Sequence, residues 1–183
     1  MKKILLILIV VGFLCGCEKT RPEYLVSSIG FEYENYNYNV YFESVIINSE
    51  NTEQTIKVLK GSGKSIEKAV EQIHRQCTQP LLLSHCGIIV VQNNTSQNMF
   101  KEICDYCYSE AQITLSAYFI NTPNVEKLLS VKPISSACVG YDIMGLLEQN
   151  KTYKNRFYEI LNNNYKIDLP IISLKDGGVY FDG

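Results

Sequence analysis

The chain of 183 residues lacks the features of several large protein classes. It has no cluster of Lys and Arg, and with a net charge of −2 it is a poor match for a nucleic-acid backbone. After the first seventeen residues, no apolar run approaches the roughly 18–20 residues that a membrane-spanning helix needs. It also lacks internal repeats and low-complexity blocks. A hydrophobic content of 46% and an aromatic content of 11% indicate a folded chain, whose length suits one domain.

The first seventeen residues predict export and lipid attachment. A basic start, Met1–Lys3, precedes an apolar run, Ile4–Leu14, which has the length of a secretory signal core and is too short to span a bilayer. The run ends in Leu14-Cys15-Gly16-Cys17, which resembles the lipobox of bacterial lipoproteins. In that box the Cys thiol receives a diacylglyceryl group, and the leader is cut just before it. We therefore expect Cys17 to be the lipid attachment site, with an ordinary cleaved signal peptide as the alternative.

These features predict four segments of the chain. Residues 1–16 are expected to be a lipoprotein signal peptide, and the polar residues 17–24 a tether that carries the lipidated Cys17. Residues 25–170 are expected to form a single α/β domain. Residues 171–183 look like the opening strand of a following domain that is cut short.

The cysteine pattern argues against a disulfide scaffold. Five cysteines remain after the leader, an odd number without framework spacing: Cys77, Cys86, Cys104, Cys107 and Cys138. Cys104 and Cys107 form a C-x-x-C pair, which is also found in redox and zinc sites. However, the apolar spacing from residue 100 to 107 places both thiols on the buried stripe of a helix, away from the helix N-terminus that a redox pair needs. We expect core cysteines, with a disulfide and a metal site as alternatives.

The two histidines suggest a metal site only weakly. His74 with Cys77, and His85 with Cys86, could join the C-x-x-C pair in a zinc set, but none of the spacings is finger-like. Neighbouring residues of a strand also point to opposite faces. We expect no metal, no cofactor and no catalytic group, and a structural role for His85 at the start of a strand.

A second motif resembles a phosphate-binding loop but is incomplete. Gly61-Ser62-Gly63-Lys64-Ser65 matches the end of the Walker A pattern, whereas Val58 stands where the pattern requires its first glycine. Ser65 is a plausible N-cap, and the glycines are expected to let the chain turn from a strand into a helix. No nucleotide partner is expected.

Hydrophobic periodicity predicts a mixed sheet with helices packed on it, in the α/β (α+β) class. The expected strands are Leu25–Glu34, Tyr36–Ile47, Gln54–Lys60, Gly87–Gln92 and Gln112–Ile120, with a last extended piece after Pro170. The expected helices are Ser65–Cys77, Ser96–Tyr108, Val125–Ser130, Tyr141–Gln149 and Lys151–Asn162. Thr122 is expected to cap the third helix, with Pro123 at its first position.

In this order of elements the chain resembles the C-subunit lipoproteins of spore-germination nutrient receptors, the GerAC or Ger(x)C family. The resemblance rests on the lipobox with the strand that follows it, and on three segments: Gly63–Ala69, Leu83–Val91 and Ala111–Tyr118. The first is similar to the family's Gly-x-Ser/Thr helix start, the second to its Gly-His strand, and the third to its Arg-x-x-x strand entry. Ser84 stands where the family often has Gly, and residues 108–111 replace its Arg-Asp-Pro-Glu.

The resemblance implies a non-enzymatic subunit that is lipid-anchored on the outer face of the cell membrane or the spore inner membrane. It would act in spore germination with two integral-membrane partners, the receptor A and B subunits. Two other functions remain open from the residues alone. One is a membrane-tethered solute-binding lipoprotein, and the other is an exported thiol enzyme that uses Cys104 and Cys107.

Overall fold

The computed structural model describes residues 23–47, 54–150 and 155–182. They form a mixed sheet of eight strands with helices on both faces, which confirms the predicted α/β class. The strands are β1 Glu23–Glu34, β2 Asn37–Ile47, β3 Gln54–Gly63, β4 Leu81–Leu82, β5 Ile88–Gln92, β6 Tyr118–Thr122, β7 Ile171–Lys175 and β8 Gly178–Asp182. The helices are α1 Ile66–His74, α2 Gln97–Ser109, α3 Val125–Leu129, α4 Val139–Gln149 and α5 Phe157–Asn162.

The order of the strands in the sheet is β3-β2-β1-β5-β6-β7-β8, and the short β4 pairs with the start of β1. Strands β1, β5, β6 and β7 are parallel, whereas β2 is antiparallel to both β1 and β3 and β8 is antiparallel to β7. We call the end at which the parallel strands begin the lower end of the sheet. The turn between β1 and β2 lies at the upper end. Its residues Asn35 and Tyr36 have φ angles of 51° and 61°, which suit a tight hairpin turn.

Strand β5 is covered on both faces, as its continuous β-branched sequence predicted. Ile88 and Val90 pack with α3 and α4 on one face, and Ile89 and Val91 pack with α1, α2 and α5 on the other. All four side chains are fully buried. The alternation of a strand therefore builds two separate hydrophobic cores from one apolar run.

Two predicted boundaries are wrong because local hydrogen bonding replaces the expected element. The strand predicted from Gln112 begins only at Tyr118, since the preceding residues form turns in which the Ala117 amide donates to the Thr114 carbonyl. Helix α5 begins at Phe157, because the residues just before it pair with β6 at Tyr118. The other residues of the predicted helix, 151–154, lie outside the described part.

The cap of α3 also differs from the prediction. Asn124 is the N-cap, and its side chain accepts a hydrogen bond from the Lys127 amide at 2.6 Å. Thr122, the predicted cap, is the last residue of β6 and pairs with Gln92. Pro123 therefore lies before the helix, and the strand extends further than its sequence indicated.

The last described residues continue the same sheet. Ile171 pairs with Asn121 of β6, and Ile172 and Val179 pack in the core beneath α3 and α4. The predicted division of the chain at residue 170 stays a prediction. The expected signal peptide and tether, up to residue 22, lie outside the described residues.

Candidate functional site

Cys17, the predicted lipid attachment site, also lies outside the described residues, so its acylation stays a prediction. The remaining candidates are the thiols, the histidines, the glycine-rich segment before α1 and a groove beside it.

The C-x-x-C pair packs in the core, as predicted. Cys104 and Cys107 lie on the buried face of α2, with exposed fractions of 0% and 1%, and both are free thiols. The helix is capped by Ser96, so Cys104 is two turns away from the N-terminal amides that lower a thiol pKa. Burial instead raises the pKa of Cys104 to about 12 and that of Cys107 well above its usual value. Neither sulfur is available as a thiolate near neutral pH.

The histidines do not join these thiols. His85 ends a short 3-10 helix, Leu83–His85, and is exposed, so its predicted place at the start of a strand is wrong. The next residue, Cys86, is buried, and burial raises its thiol pKa to about 12. His74 is exposed at the end of α1. Within the described ranges, no three His, Cys, Asp or Glu side chains form a group that could hold a metal ion.

The glycines of the Walker-like segment allow close packing and do not form a loop, which corrects the predicted turn. Gly61 and Gly63 belong to β3, and α1 crosses directly over them. A Cβ on Gly61 would lie 2.0 Å from the carbonyl oxygen of Ala69. Ser65 is the N-cap of α1, as predicted, and accepts from the Lys68 amide at 3.4 Å.

A groove of about 390 Å³ opens between the start of α1 and the side of α2. Its charged residues are Lys64, Glu67, Glu102 and Asp105. Lys101 pairs with Asp105 at 2.5 Å, and the two other carboxylates still outnumber the Lys64 ammonium. This excess of negative charge disfavours a phosphate at this helix N-terminus, in agreement with the incomplete Walker pattern. Tyr38 also lines the groove and donates a hydrogen bond to Glu102, and the pKa of Tyr38 is raised by burial and by this carboxylate.

Two buried glutamates hold the helices on the opposite face, and neither was predicted from the sequence. Glu43 of β2 accepts hydrogen bonds from the Val139 and Gly140 amides at the start of α4, at 2.7 and 2.9 Å. Glu32 of β1 accepts from the Val125 amide of α3 at 2.7 Å and from the Tyr41 hydroxyl at 2.7 Å. Both carboxylates thus cap a helix from the neighbouring sheet. A carboxylate directly after a Phe within a predicted strand, as in Phe31-Glu32 and Phe42-Glu43, is the signal that could have revealed them.

A family model described as the spore germination protein N-terminal domain matches residues 23–174. The chain belongs to this family. The match confirms the resemblance to GerAC proteins and covers nearly all of the described residues. Neither a curated protein nor a solved structure matches the chain. In the part of the chain that the structure describes, no helix is long and apolar enough to cross a membrane.

Proposed function

We propose that this protein is a lipid-anchored, non-enzymatic subunit of a germinant receptor. In this proposal Cys17 carries the diacylglyceryl anchor on the outer face of the cell membrane or spore inner membrane. The domain acts there with integral-membrane A and B partner subunits in spore germination. The observation that carries the proposal is the position of the family match, which begins six residues after the lipobox cysteine.

The chemistry of the described residues supports a role other than thiol catalysis. A thiol nucleophile must be accessible and partly ionised. Cys86, Cys104 and Cys107 are buried together in the core beneath α2, and burial raises the pKa of each. This arrangement argues against the exported thiol enzyme.

The experiment is replacement of the anchoring thiol in the native host. Cys17→Ala should release the protein from the membrane fraction of spores and reduce the rate of nutrient-triggered germination, because the anchor is lost. Cys15→Ala is the matched control, since it keeps a small residue in the lipobox and should leave both readouts unchanged. Unchanged membrane retention of Cys17→Ala would contradict the anchor, and normal germination with released protein would contradict the receptor role.

A membrane-tethered solute-binding lipoprotein is the second candidate, and the groove beside α1 is the observation that favours it. Of its three carboxylates Asp105 already pairs with Lys101, and those of Glu67 and Glu102 suit a ligand that carries an ammonium group. Calorimetric titration of the purified chain with amino acids and with sugars separates the two candidates. Micromolar binding that weakens in Glu67→Gln would support the solute binder, and a flat titration would support the receptor subunit.

A further inference from the structure

The chain enters the domain at the lower end of the sheet. Strand β1 begins at Glu23, five residues before Ser28, which pairs with Ile88 at the start of β5. Cys17 is six residues before Glu23, and six residues span at most about 20 Å. If Cys17 is acylated, as the proposed function holds, the bilayer surface therefore lies next to the lower end.

Three large apolar side chains are exposed at this same end. Tyr108 lies in the last turn of α2, which runs from the upper end of β5 to the lower end of β6. Leu115 lies in the loop that enters β6, and the Tyr158 amide, in the first turn of α5, donates to the Leu115 carbonyl at 3.0 Å. The exposed fractions of Tyr108, Leu115 and Tyr158 are 65%, 45% and 44%. We call these three side chains the lower patch.

The loop of the lower patch is tied to the start of β1. Its Gln112 side chain accepts a hydrogen bond from the Leu83 amide at 3.1 Å. The preceding residue, Leu82, pairs with Leu25 near the beginning of β1. The loop that carries Leu115 and the point where the chain enters the domain therefore lie at the same end of the fold and are connected by hydrogen bonds.

The chemistry of the lower patch suits the headgroup region of a bilayer. Tyrosine concentrates at membrane interfaces, because its ring is apolar and its hydroxyl is polar. Arg156 lies two residues before Tyr158, and its guanidinium donates to the carbonyl of Ser116, the residue after Leu115, at 2.8 Å. A cation at this position favours anionic lipid headgroups.

We propose that the lower patch is a membrane-facing surface: Tyr108, Leu115 and Tyr158 contact the interfacial region of the bilayer that holds the Cys17 anchor. The lipid then fixes the orientation of the domain as well as its location. The upper end, with the turn at Tyr36, points away from the bilayer.

The sequence contains no Trp, so a single introduced Trp gives an unambiguous fluorescence signal. We would prepare Tyr108→Trp, Tyr158→Trp and the control Tyr36→Trp in the full acylated chain. Tyr36 is 80% exposed at the upper end. Each variant is purified from membranes and reconstituted into phosphatidylcholine–phosphatidylglycerol vesicles whose acyl chains are brominated close to the headgroups. Circular dichroism and the melting temperature check that each variant folds.

A side chain that enters the interface should lose roughly half of its fluorescence to the brominated lipid, since interfacial apolar groups are buried about 5–10 Å into the boundary between headgroups and acyl chains. We expect this loss for Tyr108→Trp and Tyr158→Trp and none for Tyr36→Trp. Adding Leu115→Asp should reduce the quenching of Tyr158→Trp without releasing the protein from the vesicles.

Flotation of the vesicles tests the anchor separately. If the protein floats while Tyr108→Trp and Tyr158→Trp remain unquenched, the proposed orientation is wrong and the proposed anchor stands. The lower patch would then be available for contact with a partner protein. Equal quenching of Tyr36→Trp would also overturn it. Acylated protein that fails to float would overturn the proposed anchor and the membrane-facing surface together.

Discussion

The Glu43 carboxylate on β2 accepts a hydrogen bond from the Val139 amide at 2.7 Å, although the two residues are 96 positions apart. Cys138, the N-cap residue of α4, makes no capping hydrogen bond with its own side chain. Glu43 takes over this role from the sheet and also accepts from the Ser27 and Ser28 hydroxyls at 2.8 and 2.9 Å. A single carboxylate therefore satisfies the start of α4 and fixes that helix on β1 and β2.

Removal of this carboxylate should destabilise the domain strongly. Glu43→Ala leaves two amides and the Ser28 hydroxyl without this acceptor in a fully buried position, so we expect a loss of about 3 kcal/mol in the free energy of unfolding. The Ser27 hydroxyl keeps the backbone carbonyl of residue 43 as an acceptor at 3.1 Å. Urea denaturation measures it. Glu148→Ala removes an exposed carboxylate from the same helix α4 and should change the stability by less than about 0.5 kcal/mol. Equal effects of the two changes would contradict the capping role.

The glycines of β3 and α4 make a matched pair for a second prediction. A Cβ on Gly61 would lie 2.0 Å from the Ala69 carbonyl oxygen and 2.9 Å from the Ile73 side chain. Since α1 would have to move away, Gly61→Ala should cost about 3 kcal/mol. Gly145→Ala in α4 meets nothing within 4 Å and should stabilise the domain by about 0.5–1 kcal/mol. Thermal unfolding of both variants measures these effects, and a stable Gly61→Ala protein would mean that α1 does not pack on β3.

The parts of the fold that could be predicted are those with local signals. Each of these signals lies within a single segment of the sequence: the periodicities of β1, β2, β5 and α2, and the Ser65 cap of α1. The structure confirms each of them. The family resemblance was also readable, because its segments follow one another in the expected order.

The parts that could not be predicted depend on distant residues. The alternation from Ile113 to Ala117 resembles that of a strand, but these residues form turns. The start of β6, at Tyr118, pairs instead with the segment just before α5. The capping role of Glu43 depends on where α4 packs, which no local pattern specifies. The groove beside α1 likewise arises only when α1 and α2 pack on the same face of the sheet.

A charge in the middle of β5 should unfold the domain. Ile89 is fully buried between β1 and β6, with partners Ile29 and Phe119. Ile89→Asp places an unpaired carboxylate in this core, so we expect loss of the cooperative thermal transition. Ile134→Asp is the control, since Ile134 is 72% exposed and its replacement should leave the transition near that of the parent. A parental melting temperature for Ile89→Asp would contradict the placement of β5.

The described thiols should differ in reactivity according to burial. Cys77 is half-buried, whereas Cys86, Cys104, Cys107 and Cys138 are buried. In Ellman titration of the native protein near neutral pH, we expect Cys77 to react first and the other four only after addition of denaturant. Cys77→Ser should abolish the early phase among these five thiols. Rapid modification of Cys104 or Cys107, identified by mass spectrometry of peptides, would contradict this prediction and support the hypothesis of an exported thiol enzyme.

The same buried thiols should make the domain unstable in alkali. Burial raises the pKa of Cys86 and Cys104 to about 12, whereas a thiol in the unfolded chain ionises at about 9. Above pH 9 the unfolded chain loses thiol protons that the folded chain retains, so the stability present below pH 9 is lost as the pH rises toward 12. Urea midpoints between pH 7 and 11 measure this decrease. Cys86→Ala removes one of the titrating groups and should make the decrease shallower, and an identical slope would show that Cys86 titrates normally in the fold.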